Sequence, residues 1–128
     1  MEERDYEYTP EMNNRFYLIR TALGKTQKEM GPPLGYSPAT FSKLEKTGFK
    51  VEEKIVVLMC SVYDVSYDYL VYGKGPMFNK EDAERKAWTN LYDALPTPYQ
   101  NMIFMMVQGL LDRLSKDNVS KDEISNGE

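Results

Sequence analysis

The stretch that decides the fold is residues 26–45, which read TQKEMGPPLGYSPATFSKLE. Thr26 stands three residues before Glu29, a spacing typical of the capping box that begins a helix. The run Gly31-Pro32-Pro33 follows within two turns. Because a proline inside a helix removes a donor and costs about 3 kcal/mol, we expect this helix to be short, kinked or partly non-helical.

A second helix is predicted directly after the turn at Gly35. Ser37 is a strong N-cap residue, and Pro38 is well tolerated at the first helical position, where its missing N–H would have no partner. Phe41 and Leu44 then fall on one inward face. Two short helices joined by a glycine turn form a helix-turn-helix, whose second helix keeps its outer face free for the major groove of DNA.

The rest of the sequence also predicts helices. Apolar residues recur at helical spacing on both sides of the central stretch, and no alternation is long enough for a sheet. We therefore predict an all-α fold in which a helix-turn-helix domain precedes a C-terminal helical hairpin. The predicted organisation is an acidic N-terminal arm at 1–11, the helix-turn-helix domain at 12–78, a two-helix oligomerisation region at 79–114 and a flexible tail at 115–128.

Positive charge is concentrated around the helix-turn-helix, although the whole chain carries a net charge of −4. Residues 12–50 contain seven Lys or Arg and two Glu, a net charge of +5. Residues 1–11 contain one Arg and five acids, a net charge of −4. Since phosphate attraction depends on the local field, this distribution favours a nucleic-acid partner.

The composition argues against catalysis and against a membrane. The chain has no histidine and one cysteine, Cys60, and it shows no glycine-rich phosphate loop or paired-acid site. We predict a protein that is not an enzyme and takes neither cofactor nor metal. The beginning, MEERDYEYTP, lacks the apolar core of a signal peptide, and the longest apolar run, 102–107, is too short for a bilayer. We expect a cytoplasmic protein without a membrane partner.

Four motifs together resemble the phage-repressor-like helix-turn-helix family, the XRE-type relatives of lambda repressor and Cro. They are TQxE at 26–29, LG at 34–35, the pattern S-x-x-T-[apolar]-S-K-[apolar]-E at 37–45, and VSxxYLxxGKGPMF at 65–78. The resemblance covers about 13–78, roughly half of the chain. It implies a five-helix domain that binds double-stranded operator DNA as a dimer, with its third helix in the major groove.

The same resemblance implies roles for individual residues. Arg20 and Glu45 fall where the family has a structural ion pair, and Gln27 falls at a phosphate-contact position. Pro38, Ala39 and Lys43 occupy the base-reading positions, where Lys43 is suited to guanine and Ala39 to a thymine methyl. The predicted DNA-binding residues are Gln27, Lys28, Ser37, Pro38, Ala39, Thr40, Ser42, Lys43, Lys46 and Lys50.

The helix predicted at 99–114 has apolar residues all round, because 102–107 are consecutive apolar residues. One small domain can cover one face of such a helix but hardly every face. We therefore predict a two-fold homodimer. The predicted dimerisation residues are Met102, Ile103, Met106, Val107 and Leu110.

Two functions remain open at this stage. The first is a sequence-specific, repressor-like transcription regulator. The second is a protein-interaction module on the same fold, of the antitoxin or anti-repressor type, with weak or lost DNA binding and a small protein partner. The second is favoured by Pro38, which has no side-chain donor, and by the prolines at 32–33.

Overall fold

The computed structural model describes residues 6–116, and this part of the chain is all-helical, which confirms the predicted class. A 3-10 helix at Pro32–Leu34 follows the second α-helix, and Val65 and Phe78 form an isolated antiparallel bridge. No strand occurs among the described residues. The α-helices are α1 (Glu11–Leu23), α2 (Gln27–Met30), α3 (Pro38–Leu44), α4 (Glu53–Tyr63), α5 (Tyr67–Tyr72), α6 (Glu81–Asp93) and α7 (Thr97–Lys116).

Local capping sets the start and the end of α2. The Thr26 hydroxyl accepts the Glu29 N–H at 3.2 Å, and the Glu29 carboxylate accepts the Thr26 N–H at 2.8 Å. This backbone hydrogen bond lowers the pKa of Glu29. The helix ends at Met30, and the following prolines form a 3-10 helix that Gly35 closes at a φ of 84°. The predicted capping box and the predicted shortness of the helix that it begins, α2, are thus confirmed.

Glycine is required at position 31 because a side chain would not fit there, whereas the backbone angles suit any residue. Its φ of −68° suits any residue. A Cβ built on Gly31 lies 2.5 Å from the Tyr36 carbonyl oxygen and 3.0 Å from that of Ser37. Because both obstructing atoms belong to the backbone, α2 and the chain entering α3 approach as closely as they do only with glycine at this position.

The core lies where α1, α3 and α4 meet the chain around the bridge. Phe16 of α1 and Phe41 of α3 pack edge to face with ring centroids 6.2 Å apart, and both are fully buried. The Tyr63 hydroxyl of α4 donates to the Met30 carbonyl at 2.9 Å, which ties α4 to the end of α2. The other fully buried large side chains are Met12, Ile19, Met30, Leu44, Val51, Val56, Met59, Val65, Leu70 and Phe78.

The chain divides into two compact units, and the division lies between Ala94 and Leu95. α6 belongs to the first unit, where it packs along α1. Ala87 is buried there, and the Asn90 side-chain amide donates to the Ala22 carbonyl at 2.7 Å. The predicted two-helix region 79–114 is therefore split between the units, because α6 packs along α1. α7 lies in the second unit.

The predicted acidic arm is hydrogen-bonded to the helical core through two tyrosines. The Tyr6 hydroxyl donates to the Val51 carbonyl at 2.6 Å, and the Tyr8 hydroxyl donates to the side-chain oxygen of Asn13. Tyr6 and Tyr8 thus connect the predicted arm 1–11 to the helical core. The acids at 2, 3 and 5 lie outside the described residues. Of the flexible tail predicted at 115–128, residues 115 and 116 belong to α7, and the rest lies outside the described residues.

The environment of the Tyr6 hydroxyl leads us to expect a lower free energy of unfolding at alkaline pH. Burial, assisted by the nearby Glu53, raises its pKa from 10.0 to about 12. Between these values the unfolded chain releases the phenolic proton while the folded chain keeps it, so the free energy of unfolding falls as pH rises from 10.0 to about 12. In urea unfolding across this range, Tyr6→Phe is expected to decline less steeply than wild type. Tyr99→Phe, at an exposed ring, is the control, and equal slopes for the two variants would contradict the assignment.

Candidate nucleic-acid interface

Helix α3 is positioned by its cap and by its inner face. The Ser37 hydroxyl accepts the Thr40 N–H at 3.1 Å, and Pro38 occupies the first turn. Phe41 and Leu44 are fully buried, so they fix which side of the helix faces outward. The helix has seven residues and is about 10 Å long.

The outer side of α3 and its surroundings hold the residues predicted to contact DNA. Gln27, Thr40 and Ser42 are partly buried. The others are all exposed; they are Lys28, Ser37, Pro38, Ala39, Lys43, Lys46 and Lys50. Lys28 on α2 and Lys46 and Lys50 after α3 thus lie at the surface of the same compact unit.

A three-residue network joins α1, α2 and the end of α3. Arg20 contacts both carboxylate oxygens of Glu45, with Nε to Oε2 at 2.5 Å and Nη2 to Oε1 at 3.1 Å. The Gln27 side-chain amide donates to the same Oε1 at 2.9 Å. Hydrogen bonding to Glu45 raises the pKa of Arg20. The network holds α3 against the other two helices, and it engages one amide N–H of Gln27.

The segment that contains α3 keeps a net positive charge. Within 12–50, Glu45 is bound by Arg20, and the Glu29 carboxylate, which accepts hydrogen bonds in the cap of α2, is the other negative charge. Arg15 is also structural, since it donates to the Leu70 and Val71 carbonyls at 3.1 Å each. Among the described residues no carboxylate lies within ion-pair distance of the exposed lysines Lys28, Lys43, Lys46 and Lys50.

Asn13 is a supporting residue that sequence reasoning missed. It is fully buried, and its amide donates to the Leu44 carbonyl at 2.7 Å and to the Phe49 carbonyl at 2.9 Å. Its side-chain oxygen accepts the Gly48 N–H at 3.2 Å. Asn13 therefore fastens the loop that follows α3. The sequence signal is slight: a polar residue one turn before Phe16 on the apolar stripe of α1.

Helix α7, taken by itself, presents a wide apolar side. At about 100° per residue, its polar residues gather mainly on one side, and apolar residues cover more than half of the circumference. The centre of the apolar side follows the 4-3-4 spacing of a helix-pairing seam: Ile103, Val107, Leu110 and Leu114. All five predicted dimerisation residues are exposed, from 38% for Ile103 to 63% for Met106.

Two observations complete the description of the surface. No helix among residues 6–116 combines the length and the hydropathy needed to cross a bilayer. The described residues also contain no group of three or more His, Cys, Asp or Glu side chains placed to hold a metal ion.

Comparison with known proteins yields no match to this chain among protein-family models, curated proteins or solved structures.

Proposed function

We propose that this protein binds double-stranded DNA through the outer side of α3 and acts as a dimeric, repressor-like transcription regulator. The observation that carries the proposal is electrostatic. The exposed lysines are Lys43 on α3, Lys46 and Lys50 after it, and Lys28 on the adjoining α2, while Glu45 of the same segment is paired with Arg20. A cationic surface on and beside a helix is what the phosphate backbone attracts.

The dimensions of α3 suit this role. The helix is about 10 Å long, and the major groove of B-DNA is about 12 Å wide. Lys43 lies on the exposed side and donates to guanine O6 or N7 in the proposed complex, while Lys46 and Lys50 reach phosphates. Pro38 and Ala39 offer only apolar contact. Sequence preference therefore depends partly on DNA shape and on the thymine methyl group.

The apolar side of α7 supports the dimer. Leaving out Met105, which lies among the polar residues, nine large apolar side chains of α7 are 38–63% exposed. At roughly 50–80 Å² each, two copies bury about 900–1,400 Å², a range that includes the lower bound of about 1,000 Å² for a specific interface. Two recognition helices spaced one DNA turn apart, about 34 Å, then read two half-sites.

Salt-dependent binding to a fluorescent duplex of about 30 base pairs tests the DNA proposal. Replacing Lys43, Lys46 and Lys50 by alanine is expected to weaken binding by about tenfold or more and to reduce the salt slope by about two to three. The matched control replaces Lys74, Lys80 and Lys86, which are equally exposed but lie outside 12–50. Equal losses in both triple variants, or no binding of wild type at low salt, would contradict the proposal.

A second candidate is a protein-interaction module of the antitoxin or anti-repressor type. It is favoured by the exposure of Pro38 and Ala39, which have no donors for bases, together with the apolar side of α7. In this case α7 receives a small partner protein. A wild-type protein that binds no duplex at low salt but forms a stoichiometric complex with such a partner identifies the second function rather than the first.

A further inference from the structure

An apolar groove lies on the side of the first unit where α6 packs along α1. It has a volume of about 440 Å³, within the range of sites for small organic ligands. Leu18 of α1 and Leu91 of α6 line it, with Tyr69 of α5 and Met77 of the chain before α6. The groove is formed entirely within residues 18–91, and none of the predicted DNA-binding residues lines it.

The groove contains one carboxylate, that of Glu84, and no basic side chain lines it. Glu84 Oε1 accepts the Phe78 N–H at 2.9 Å, and Oε2 accepts the indole N–H of Trp88 at 3.2 Å. Both oxygens are thereby held in place, and each retains a lone pair for a further donor or cation. Within residues 6–116 no lysine or arginine forms an ion pair with Glu84.

Trp88 and Tyr69 add aromatic surface beside that charge. Trp88 is 67% exposed, although it is the largest apolar side chain of α6. Its indole is oriented by the hydrogen bond to Glu84 and forms part of the groove wall. Burial raises the pKa of the Tyr69 phenol, and the nearby Arg15 charge opposes part of this shift. Neutral aromatic rings and a carboxylate attract a cation together, since each offers negative potential at short range.

We propose that this groove binds a small organic cation with an apolar body, such as an aryl-alkyl ammonium compound. The cationic head lies between the Glu84 carboxylate and the Trp88 ring, and the apolar body lies along Leu18, Met77 and Leu91. A neutral ligand of the same shape gains only the apolar contact, and an anionic one is repelled by Glu84. The proposal does not depend on DNA binding, and its test requires no DNA.

A charge series on the wild-type protein tests the proposal without any substitution. Trp88 is the only tryptophan of the chain, so its emission reports on the groove directly. The probes are 4-phenylbutyltrimethylammonium, 4-phenylbutanol and 4-phenylbutyrate, which share an apolar body. The ammonium compound is expected to bind about tenfold or more tightly than the alcohol, and the carboxylate is expected to bind least.

Two variants on one helix then locate the charge. Glu84→Gln keeps an oxygen for the Phe78 N–H but removes the negative charge, so the advantage of the ammonium probe over the alcohol is expected to disappear. Glu81→Gln is the matched control, because Glu81 is exposed, pairs with Arg85 at 3.3 Å and does not line the groove. The advantage is expected to persist in this control.

Four results would overturn the proposal. They are equal binding of the ammonium compound and the alcohol, an ammonium advantage that survives Glu84→Gln, the absence of any probe binding by fluorescence and calorimetry, and a Trp88 emission that shifts with protein concentration alone. The first describes a general apolar docking surface, and the last describes a groove covered by a second copy of the chain.

Discussion

Leu110→Glu is expected to sediment as a monomer at concentrations where the wild-type protein is expected to form the proposed dimer. Leu110 lies at the centre of the apolar side of α7, in the seam with Val107 and Leu114. A two-fold interface contains the substitution twice, and each buried carboxylate without a partner costs several kcal/mol. The dissociation constant of the dimer is therefore expected to rise by about a thousandfold or more.

The control for this prediction is Gln108→Glu. Residue 108 lies two positions before Leu110, on the polar side of α7 and about 200° away around the helix. It adds the same charge to the same helix without entering the proposed seam. Sedimentation velocity across the micromolar range, with circular dichroism to verify helix content, separates the two variants. A wild-type monomer, or equal dissociation in both variants, would show that α7 does not pair two copies.

The dimer also links this experiment to DNA. A monomer presents one α3 helix and reads one half-site, whereas a dimer combines two. Leu110→Glu is thus expected to weaken duplex binding, although it leaves the exposed lysines on and beside α3 unchanged. If α7 instead receives a small partner protein, Leu110→Glu abolishes that complex and leaves the sedimentation of the isolated chain as it was.

Asn13→Ala is expected to lower the free energy of unfolding by about 3 kcal/mol or more. The substitution removes both donors that satisfy the Leu44 and Phe49 carbonyls and the acceptor for the Gly48 N–H. Buried polar groups left without partners cost about 1–3 kcal/mol each. Since small domains are stable by only about 5–15 kcal/mol, a large part of the total is at stake.

The neighbouring residue provides the control for Asn13. Asn14 is exposed on the same helix, and Asn14→Ala is expected to change stability by less than about 0.5 kcal/mol. Urea unfolding of the two variants measures the difference directly. Similar midpoints would mean that the loop after α3 does not depend on Asn13. A large difference is expected to be accompanied by weaker duplex binding, because Asn13 also holds the end of α3.

Features controlled by a few neighbouring residues were predictable from sequence. The capping box of Thr26 and Glu29, the Ser37 cap of α3 and Pro38 in the first turn of that helix all appear at the predicted positions. The prolines at 32 and 33 end α2, as expected. In each case the interacting groups lie within about one helical turn, so the local sequence contains all the chemistry involved.

Features that join distant parts of the chain were not predictable in the same way. Apolar spacing indicated helices on both sides of the central stretch, but it did not show that α6 would pack along α1. Nothing in the sequence connected Asn13 to carbonyl groups 31 and 36 residues away. The engagement of Gln27 with Glu45 was also unforeseen, since it depends on the angle at which α2 meets α3.

The amino-acid sequence alone determined where α2 and α3 begin, which class of fold the helices build and where positive charge accumulates, because capping, proline geometry and charge act over short separations. Tertiary structure alone decided that α6 joins the first unit, that Asn13 holds the loop after α3, and that Glu84 and Trp88 share a groove with Leu18. These arrangements arise from close packing between distant segments, and packing depends on the shapes of both surfaces at once.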